Sequence, residues 1–395
     1  ISGAARNRIR LDGSRFPNRV EFLVDFLGAA LYNKRVCKQY PLQEEFKMTT
    51  VKKIAALGLA VLMTASLAAC SMGGDTKWAA KAGDLTVPAG VYINELITAY
   101  SDATVDLPSD VKDPLKEQVD GVTVSQKVTE EAKKGLDEYI AIEQKFGEMG
   151  LAMSELDRAS VEQTAEQYWT GFRLEETYTA NGVSRESFIL AQENMVKKSM
   201  IFNAIYGEGG TDPVPEEELK TKFSTDYAKI LLIPVSINPA EDTDEAKAKA
   251  KEQASELINK YLERAKAGED METLVYEARK ELSGNQDLEK PEAGTSFTFV
   301  NRENSSYSQE VVDTIFAAPI GEPTVAESED GMYLFVRYDV MENESDFAQR
   351  RAALVSALRG DAFDEQVSQW ADSLTGVTYN DAALKRYTPE KLKVG

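Results

Sequence analysis

The chain has 395 residues and carries 45 Lys and Arg side chains against 66 Asp and Glu, which gives a formal net charge of −21. This acidity argues against nucleic acid or an anionic surface as a partner, because the average field of the protein repels both. The chain has no histidine and only two cysteines, so the usual general base and the commonest zinc ligand are missing. We predict no cofactor and no metal.

Residues 1–47 have the composition of a segment that was not selected to fold. The chain begins with Ile rather than Met, and its first twenty residues hold five arginines. We interpret residues 1–47 as translated upstream sequence, with Met48 as the true start of the protein.

A secretory signal is predicted over residues 48–69. It opens with two lysines, continues as an uncharged, mostly apolar run up to Ala65 and closes on small residues. This is the layout of a secretory signal, and the run is too short for a stable membrane span. The closing motif Leu67-Ala68-Ala69-Cys70 resembles the lipobox of bacterial lipoproteins. In that family the cysteine receives a diacylglycerol and becomes the first mature residue, so the resemblance implies lipidation at Cys70.

Processing at Cys70 would leave 326 residues, enough for two domains. Because the other cysteine, Cys37, lies upstream of the signal, no thiol would remain for a disulfide, a metal or a nucleophile. Residues 1–69 hold 11 basic and 5 acidic side chains, so the processed chain would carry a net charge of −27. Residues 70–77 are predicted to be a flexible polar tether.

Residues 78–226 are predicted to be mainly helical. We expect a strand within 78–91 and a loop over 102–125, where no clear hydrophobic period is found. The later helices are predicted from apolar periodicity, N-cap residues and terminating glycines. They cover 126–149, the stretch from the Ser154–Asp157 capping box to Trp169, the stretch from the N-cap Ser184 to Gly207, and the residues after Pro215.

Residues 227–340 alternate β-type runs with helical periodicity. The predicted order is a strand at 227–235, helices at 242–267 and 271–282, a strand at 296–300, a helix at 308–316, and strands at 324–327 and 332–339. Asp330-Gly331 predicts the turn between the last two strands. We expect a compact domain of the βαααβαββ type.

Residues 341–395 are predicted to form a long helix and a short tail. The apolar side chains of this helix need a partner, because one helix cannot bury its own face. The simplest partner is the helical region before residue 226. The fold class is therefore predicted as α+β: a helical domain made of residues 78–226 and 341–395, with residues 227–340 inserted into it.

Several segments resemble extracytoplasmic foldases of the PrsA/SurA group, whose inserted domain is a parvulin-type (PpiC-like) peptidyl-prolyl isomerase. Residues 81–87 resemble the family's "VNGxxIT", and 227–235 stand where parvulins carry the strand "ARHILV". The other matches are 252–278 with "A…L…KG.DF..LA", 309–321 with "PEFEEAAFALKPG", and 331–336 with "GYHIIK". The resemblance covers roughly residues 78–380 as architecture. It implies a SurA-N-like helical domain with a parvulin-like insert.

The parvulin pocket positions carry other residues in this chain. The first family histidine falls at Ile230, the last at Tyr333, the pocket methionine at Tyr307 and the pocket phenylalanine at Val311. The resemblance thus implies a scaffold with degenerate catalytic positions and weak or no isomerase activity. Tyr307 and Tyr333 would either line a binding groove or be half-buried aromatics on a sheet.

Together these features predict a chaperone or foldase that is lipid-anchored on the extracytoplasmic face of the cell membrane. Its partners would be unfolded or folding secreted proteins, and it could act as a homodimer. Two alternatives stay open: an active prolyl isomerase with an atypical pocket around Tyr307 and Tyr333, and a solute-binding or surface interaction lipoprotein that shares only the signal. A solute-binding lipoprotein would need two α/β lobes of similar size, which the helix-rich halves of this chain do not suggest.

Overall fold

The computed structural model describes residues 75–108, 110–171 and 174–394. The predicted upstream segment, the signal and Cys70 lie outside the described residues. The described chain divides into two compact units: a sheet unit of residues 214–358, and a helical unit that combines residues 75–213 with 359–394. No helix within the described ranges is both long and apolar enough to cross a membrane.

The helical unit begins with a β-hairpin and continues as a series of helices with a second, short hairpin. Its elements up to residue 213 are β1 (Trp78–Ala82), β2 (Leu85–Pro88), α1 (Ala89–Thr104), β3 (Gln118–Val119), β4 (Val122–Thr123), α2 (Val124–Glu148), α3 (Glu155–Glu166), α4 (Leu174–Asn181) and α5 (Arg185–Tyr206).

Local hydrogen bonds at the helix starts confirm the predicted caps. The Ser154 hydroxyl accepts from the backbone N–H of Asp157 at 3.1 Å, and the Asp157 carboxylate accepts from the Ser154 N–H at 2.8 Å. Ser184 likewise accepts from the N–H of Ser187 at the start of α5. These bonds satisfy donors that a helix start leaves without an intrahelical partner, which is why sequence alone locates these starts.

The strand predicted within residues 78–91 is confirmed as β1 and β2, but α1, which follows at Ala89, was not predicted. Ten of the sixteen residues of α1 are buried, so it lacks the polar face that makes a helix periodic. The prediction of a loop over 102–125 was wrong. The predicted loop contains the β3–β4 hairpin, whose turn residues Asp120 (φ 54°) and Gly121 (φ 84°) both have positive φ. A two-residue Asp-Gly turn of this kind favours hairpins.

The sheet unit is a four-stranded antiparallel sheet with helices on both faces. Its elements are α6 (Glu216–Asp226), β5 (Tyr227–Ser236), α7 (Asp244–Lys266), α8 (Met271–Ser283), β6 (Thr298–Asn301), α9 (Gln309–Ala317), β7 (Pro323–Glu327) and β8 (Gly331–Tyr338). The strand order is β6-β5-β8-β7. One apolar cluster joins α7 and α8 to one face, and a second joins α9 to the other.

The predicted βαααβαββ order was wrong by one helix. Two helices, α7 and α8, lie between β5 and β6, so residues 227–340 have the order βααβαββ. The segment that joins α8 to β6 begins at Gly284 in the left-handed conformation (φ 64°) and contains Pro291 and Gly294 (φ 82°). These residues oppose continuous helix, so this connection stays irregular.

The last part of the chain is α10 (Glu344–Asp372), β9 (Val377–Tyr379) and α11 (Asp381–Arg386). Residues of α10 up to Leu358 belong to the sheet unit, and those from Arg359 belong to the helical unit. In the helical unit, Phe363 and Val367 are buried in one cluster with residues of α2 and α5. β9 pairs antiparallel with β1, so the two ends of the helical unit share one sheet.

Asn380 joins these two ends through its side chain. Its Nδ2 donates to the backbone oxygens of Asp75 (2.6 Å) and Trp78 (2.9 Å), and its Oδ1 accepts from the N–H of Ala383 at the start of α11. We expect Asn380→Ala to lower the free energy of unfolding by about 2 kcal/mol, since a helix cap and two hydrogen bonds are lost.

Asn343→Ala is the matched control for Asn380→Ala. Asn343 accepts from the N–H of Ser345 at the exposed start of α10, and its side chain joins no distant segments among the described residues. Its removal should cost no more than about 1 kcal/mol in denaturant unfolding. Equal losses for the two variants would show that Asn380 acts as a local cap alone.

Candidate functional site

The four positions that the sequence resemblance aligned with a parvulin pocket gather at one apolar cluster of the sheet unit. Side chains alternate between the two faces along a strand. Ile230 of β5 lies on the face that α9 covers, as does Tyr333 of β8. Tyr307 precedes α9 and Val311 lies within it. Residues that are far apart in sequence therefore meet at this cluster.

Ile230 and Val311 have no exposed side-chain surface. Both are 0% accessible and lie inside the cluster between the sheet and α9. Their aliphatic side chains stabilise the sheet unit by about 1.5–3 kcal/mol each through burial. Neither can contact a ligand or contribute a polar group to a reaction, so these two positions are structural in this chain.

Tyr307 and Tyr333 pack against the same cluster and against each other. Their ring centroids are 5.5 Å apart and the rings are at 80°, which is an edge-to-face arrangement. Burial raises the pKa of Tyr307, and the neighbouring Tyr333 raises it further. The Tyr307 phenol is therefore neutral at physiological pH, so it can pack or donate a hydrogen bond but cannot act as a base.

Gly331, at the start of β8, lies directly under the Tyr333 ring. A Cβ at Gly331 would approach the Tyr333 hydroxyl oxygen to 3.1 Å and the backbone oxygen of Val235 to 3.2 Å. The Tyr333 phenol thus folds back along its own strand. A larger residue at 331 would displace the ring and alter the tyrosine pair.

A second candidate surface lies on the helical unit, where α2, α5 and the later part of α10 meet. Phe363 is buried at its centre. Around it are half-buried aromatic and methionine side chains, which we call the aromatic–methionine surface: Met149, Met200, Phe202, Tyr206 and Trp370. These side chains keep part of their apolar area in solvent, unlike the core residues beneath them.

The rings of this surface form a continuous set of contacts. Phe202 lies 5.2 Å from Phe363 and 5.3 Å from Tyr206, measured between ring centroids. Trp370 lies 5.9 Å from Phe363 at 82°, and the Lys145 ammonium stands 5.4 Å from the Trp370 ring. Aromatic and methionine side chains of this kind can bind apolar groups of varied shape, because methionine is flexible and the rings are large.

Polar contacts under this surface hold α5 against α2. The Glu143 carboxylate accepts from the Lys197 ammonium at 2.7 and 2.8 Å and from the Asn194 amide at 3.0 Å. Asn194 also donates to the backbone oxygen of Tyr139, and burial raises the pKa of the Tyr139 phenol. Between α5 and α10, Lys198 pairs with Asp364 at 2.6 Å. The aromatic–methionine surface therefore rests on a backbone held by paired charges.

Sequence analysis found some of these residues but not the surface. The helices that carry Phe202, Tyr206 and Trp370 were predicted from their apolar periodicity, but no surface was assigned to these side chains. Met149 and Met200 were not singled out. One signal was available: Met200, Ile201 and Phe202 are consecutive, and three neighbours on a helix cannot all face one core.

Comparison with known proteins found no protein-family model that matches the chain. No curated protein matches it either. Among solved structures, it is similar to the foldase protein PrsA from Streptococcus pneumoniae, with 13% identity and a TM-score of 0.37, over 69% of this chain and 98% of that one. It is similar also to the foldase protein PrsA from Lactococcus lactis, with 14% identity and a TM-score of 0.37, over 79% of this chain and 99% of that one. Similarity at this level assigns neither a family nor an activity to this chain.

Proposed function

We propose that this chain is an extracytoplasmic folding factor, anchored to the membrane by a lipid on Cys70, that holds unfolded segments of secreted polypeptides. The observation that carries the proposal is the aromatic–methionine surface, where large apolar side chains of the helical unit lie together and stay only half-buried. Apolar area that is left in solvent at one place marks a site of interaction. The predicted lipobox supports a location on the extracytoplasmic face of the membrane.

The charge of the chain fits a holding function. A strongly acidic body remains soluble while it carries an aggregation-prone client. Unfolded segments expose the leucine, phenylalanine and similar side chains that would bury their area against Phe202, Tyr206 and Trp370. Binding of this kind needs no defined sequence, because the methionines can repack around different side chains.

The sheet unit is proposed to have weak or no prolyl isomerase activity. Rotation about a peptide bond has a barrier of ~18–20 kcal/mol, which a catalyst lowers with polar groups placed around the amide. Ile230 and Val311 are apolar and fully buried, and the chain has no histidine. The sheet unit would then bind client segments through Tyr307 and Tyr333 or act as a spacer.

Loss of side chains from the aromatic–methionine surface is expected to weaken holding. The double variant Met200→Ser, Trp370→Ser removes two half-buried side chains from this surface. We expect it to bind an unfolded client about tenfold more weakly, since truncating an apolar anchor costs more than about 1 kcal/mol. The measurement is suppression of client aggregation, by light scattering, at several protein concentrations.

Tyr307→Ser, Tyr333→Ser is the matched control, because it also removes two half-buried apolar side chains. Thermal unfolding of both variants shows whether either has lost its fold. If the tyrosine variant loses aggregation suppression and the helical-unit variant keeps it, the client site lies in the sheet unit instead.

A prolyl-isomerisation assay on the unsubstituted protein separates this proposal from an active isomerase. We expect the protein not to accelerate the cis–trans isomerisation of a prolyl peptide beyond its uncatalysed rate. Catalysis that is lost in the tyrosine double variant would establish a histidine-free isomerase around Tyr307 and Tyr333, and holding would then be a secondary activity.

A further inference from the structure

Cations without a carboxylate partner are concentrated at one end of the helical unit. Elsewhere in this unit many lysines are paired, as in Lys133–Asp137, Lys197–Glu143 and Lys198–Asp364. Among the exposed cations that make no ion pair within the described residues, six lie near the two ends of this unit, and we call them the terminal cation patch: Lys77, Lys81, Lys385, Arg386, Lys391 and Lys393.

The fold brings the segments that carry these six residues together from the two ends of the unit. β9 pairs with β1 so that Thr378 lies opposite Lys81. Asn380 then bonds to the backbone at Asp75 and Trp78, which places α11 beside the first described residues. The Lys391 ammonium donates to the backbone oxygens of Lys385 (3.3 Å) and Arg386 (2.8 Å), so these residues adjoin.

The last member of the patch is held by a side-chain clamp. Asn181 accepts from the Lys393 N–H at 2.7 Å and donates to the Lys393 backbone oxygen at 3.2 Å. Both polar groups of the Lys393 backbone are therefore engaged, while its ammonium group is left to solvent. The segment after α11 is thus fixed against α4, and the position of Lys393 in the patch is defined by the fold.

The local charge differs in sign from the charge of the whole chain. Residues 75–84 and 377–394 contain the six cations and the acids Asp75, Asp84, Asp381 and Glu390, a local net charge of +2, whereas the chain from Cys70 onward carries −27. One of these acids, Glu390, already accepts a hydrogen bond from Ser125. Two half-buried aromatics lie among the cations: Lys81 stands 4.6 Å from the Trp78 ring and Arg386 stands 5.7 Å from the Tyr387 ring.

The tether places this patch next to the proposed anchor. Asp75 follows Cys70 by five residues, which span at most about 17 Å when fully extended. Charges on the rest of the body that lie farther than the Debye length of ~8 Å from the bilayer surface are largely screened. Tryptophan and tyrosine are enriched at membrane interfaces, where one end of the ring is apolar and the other is wet.

We propose that the terminal cation patch binds the anionic phospholipid headgroups of the membrane and so orients the helical unit on the bilayer. Its closeness to the bilayer rests on the proposed lipidation of Cys70, but the binding chemistry belongs to the patch itself. Each lysine or arginine near an anionic surface strengthens binding about fivefold. The patch would add an electrostatic contact to the lipid anchor.

The test removes the anchor after the protein has been assembled on vesicles. The full chain, with a protease site placed in the tether at Gly73-Gly74, is reconstituted into vesicles of phosphatidylglycerol with phosphatidylcholine or of phosphatidylcholine alone. The tether is then cut, the vesicles are sedimented and the bound fraction of the cleaved protein is measured. We expect the cleaved protein to stay on the anionic vesicles at ~0.1 M salt and to leave them at ~1 M, where the Debye length is about 3 Å. It should leave the neutral vesicles at either salt concentration.

Charge-matched variants locate the effect. Neutralising four exposed patch cations should weaken binding to the anionic vesicles by roughly 600-fold, about fivefold for each. The control neutralises four exposed cations elsewhere, none of which has an ion pair among the described residues. Its binding to the anionic vesicles should be unchanged, although its net charge becomes more negative by the same four units. The patch variant is Lys77→Gln, Lys385→Gln, Arg386→Gln, Lys393→Gln, and the control is Lys112→Gln, Lys249→Gln, Lys266→Gln, Arg279→Gln.

Release from anionic vesicles at low salt, or an equal loss in the two variants, would overturn the proposal. The tether is cut before the measurement, so the bound fraction of the cleaved protein reports the patch and not a lipid on Cys70. Aggregation suppression by the patch variant should equal that of the unsubstituted protein, so failure of the holding proposal would be seen separately.

Discussion

Replacing Cys70 by alanine is expected to move nearly all of the protein from the membrane to the medium. The thiol is the attachment point for the proposed diacylglycerol, and each buried CH₂ of an acyl chain contributes ~0.8 kcal/mol to membrane binding. Loss of two long chains therefore changes the partition by many orders of magnitude. The substitution also places three alanines in a row, an A-x-A pattern that favours cleavage of the signal and release of the chain.

The measurement is the distribution of protein between membrane and medium, before and after a high-salt wash. Ser71→Ala, at the neighbouring position, is the control and should stay on the membrane. The wash matters because the terminal cation patch would retain a fraction of the unlipidated protein at low salt. Protein that remains membrane-bound through the high-salt wash in the Cys70 variant would contradict lipidation.

Removing the Asp346 carboxylate is expected to destabilise the sheet unit by about 3–5 kcal/mol. Asp346, in the first turn of α10, accepts from the Lys229 ammonium of β5 at 2.9 Å. The two side chains are only 14% and 7% exposed, and the ammonium lies 4.3 Å from the centre of the Phe297 ring. Asp346→Ala leaves a buried ammonium without a counter-charge, and the cost of its desolvation is then no longer offset.

Denaturant unfolding of three further variants tests this explanation. Asp242→Ala breaks the exposed pair with Lys247, whose side chains are 91% and 54% exposed, and should cost less than about 1 kcal/mol. Lys229→Met, Asp346→Leu replaces both charges with apolar groups and should restore most of the lost stability. Lys229→Met alone should cost less than Asp346→Ala, since methionine tolerates the apolar surroundings. Similar losses for Asp346→Ala and Asp242→Ala would mean that the buried pair is not a stabilising contact.

Local structure was predictable wherever the signal is carried by neighbouring residues. The Ser154–Asp157 capping box and the Ser184 cap depend on bonds that span three positions, so sequence contains them in full. Periodicity located α2, because this helix has a polar face. It missed α1, which is buried on nearly all sides and has no polar face to reveal its period.

The candidate sites were predictable only in part, for a different reason. A family pattern assigned Ile230, Tyr307, Val311 and Tyr333 to one place, and they do pack at one cluster. The pattern could not tell that two of them would be fully buried and two would pair edge to face, since burial depends on how α9 lies on the sheet.

The sequence by itself determined which groups are missing: the chain has no histidine, which is the usual general base and the commonest zinc ligand, and only two cysteines. It also determined the caps and the strongly acidic average charge, and it predicts the signal. Only the tertiary structure decided where apolar and charged groups lie together. Met149, Phe202 and Trp370 become one surface because three helices converge, and the segments that carry Lys77 and Lys385 come together because β9 pairs with β1. An average charge of one sign predicts repulsion from anionic membranes. Charges that lie farther than about one Debye length from the membrane surface are largely screened, so only the nearest charges act on it. The fold determines which charges those are.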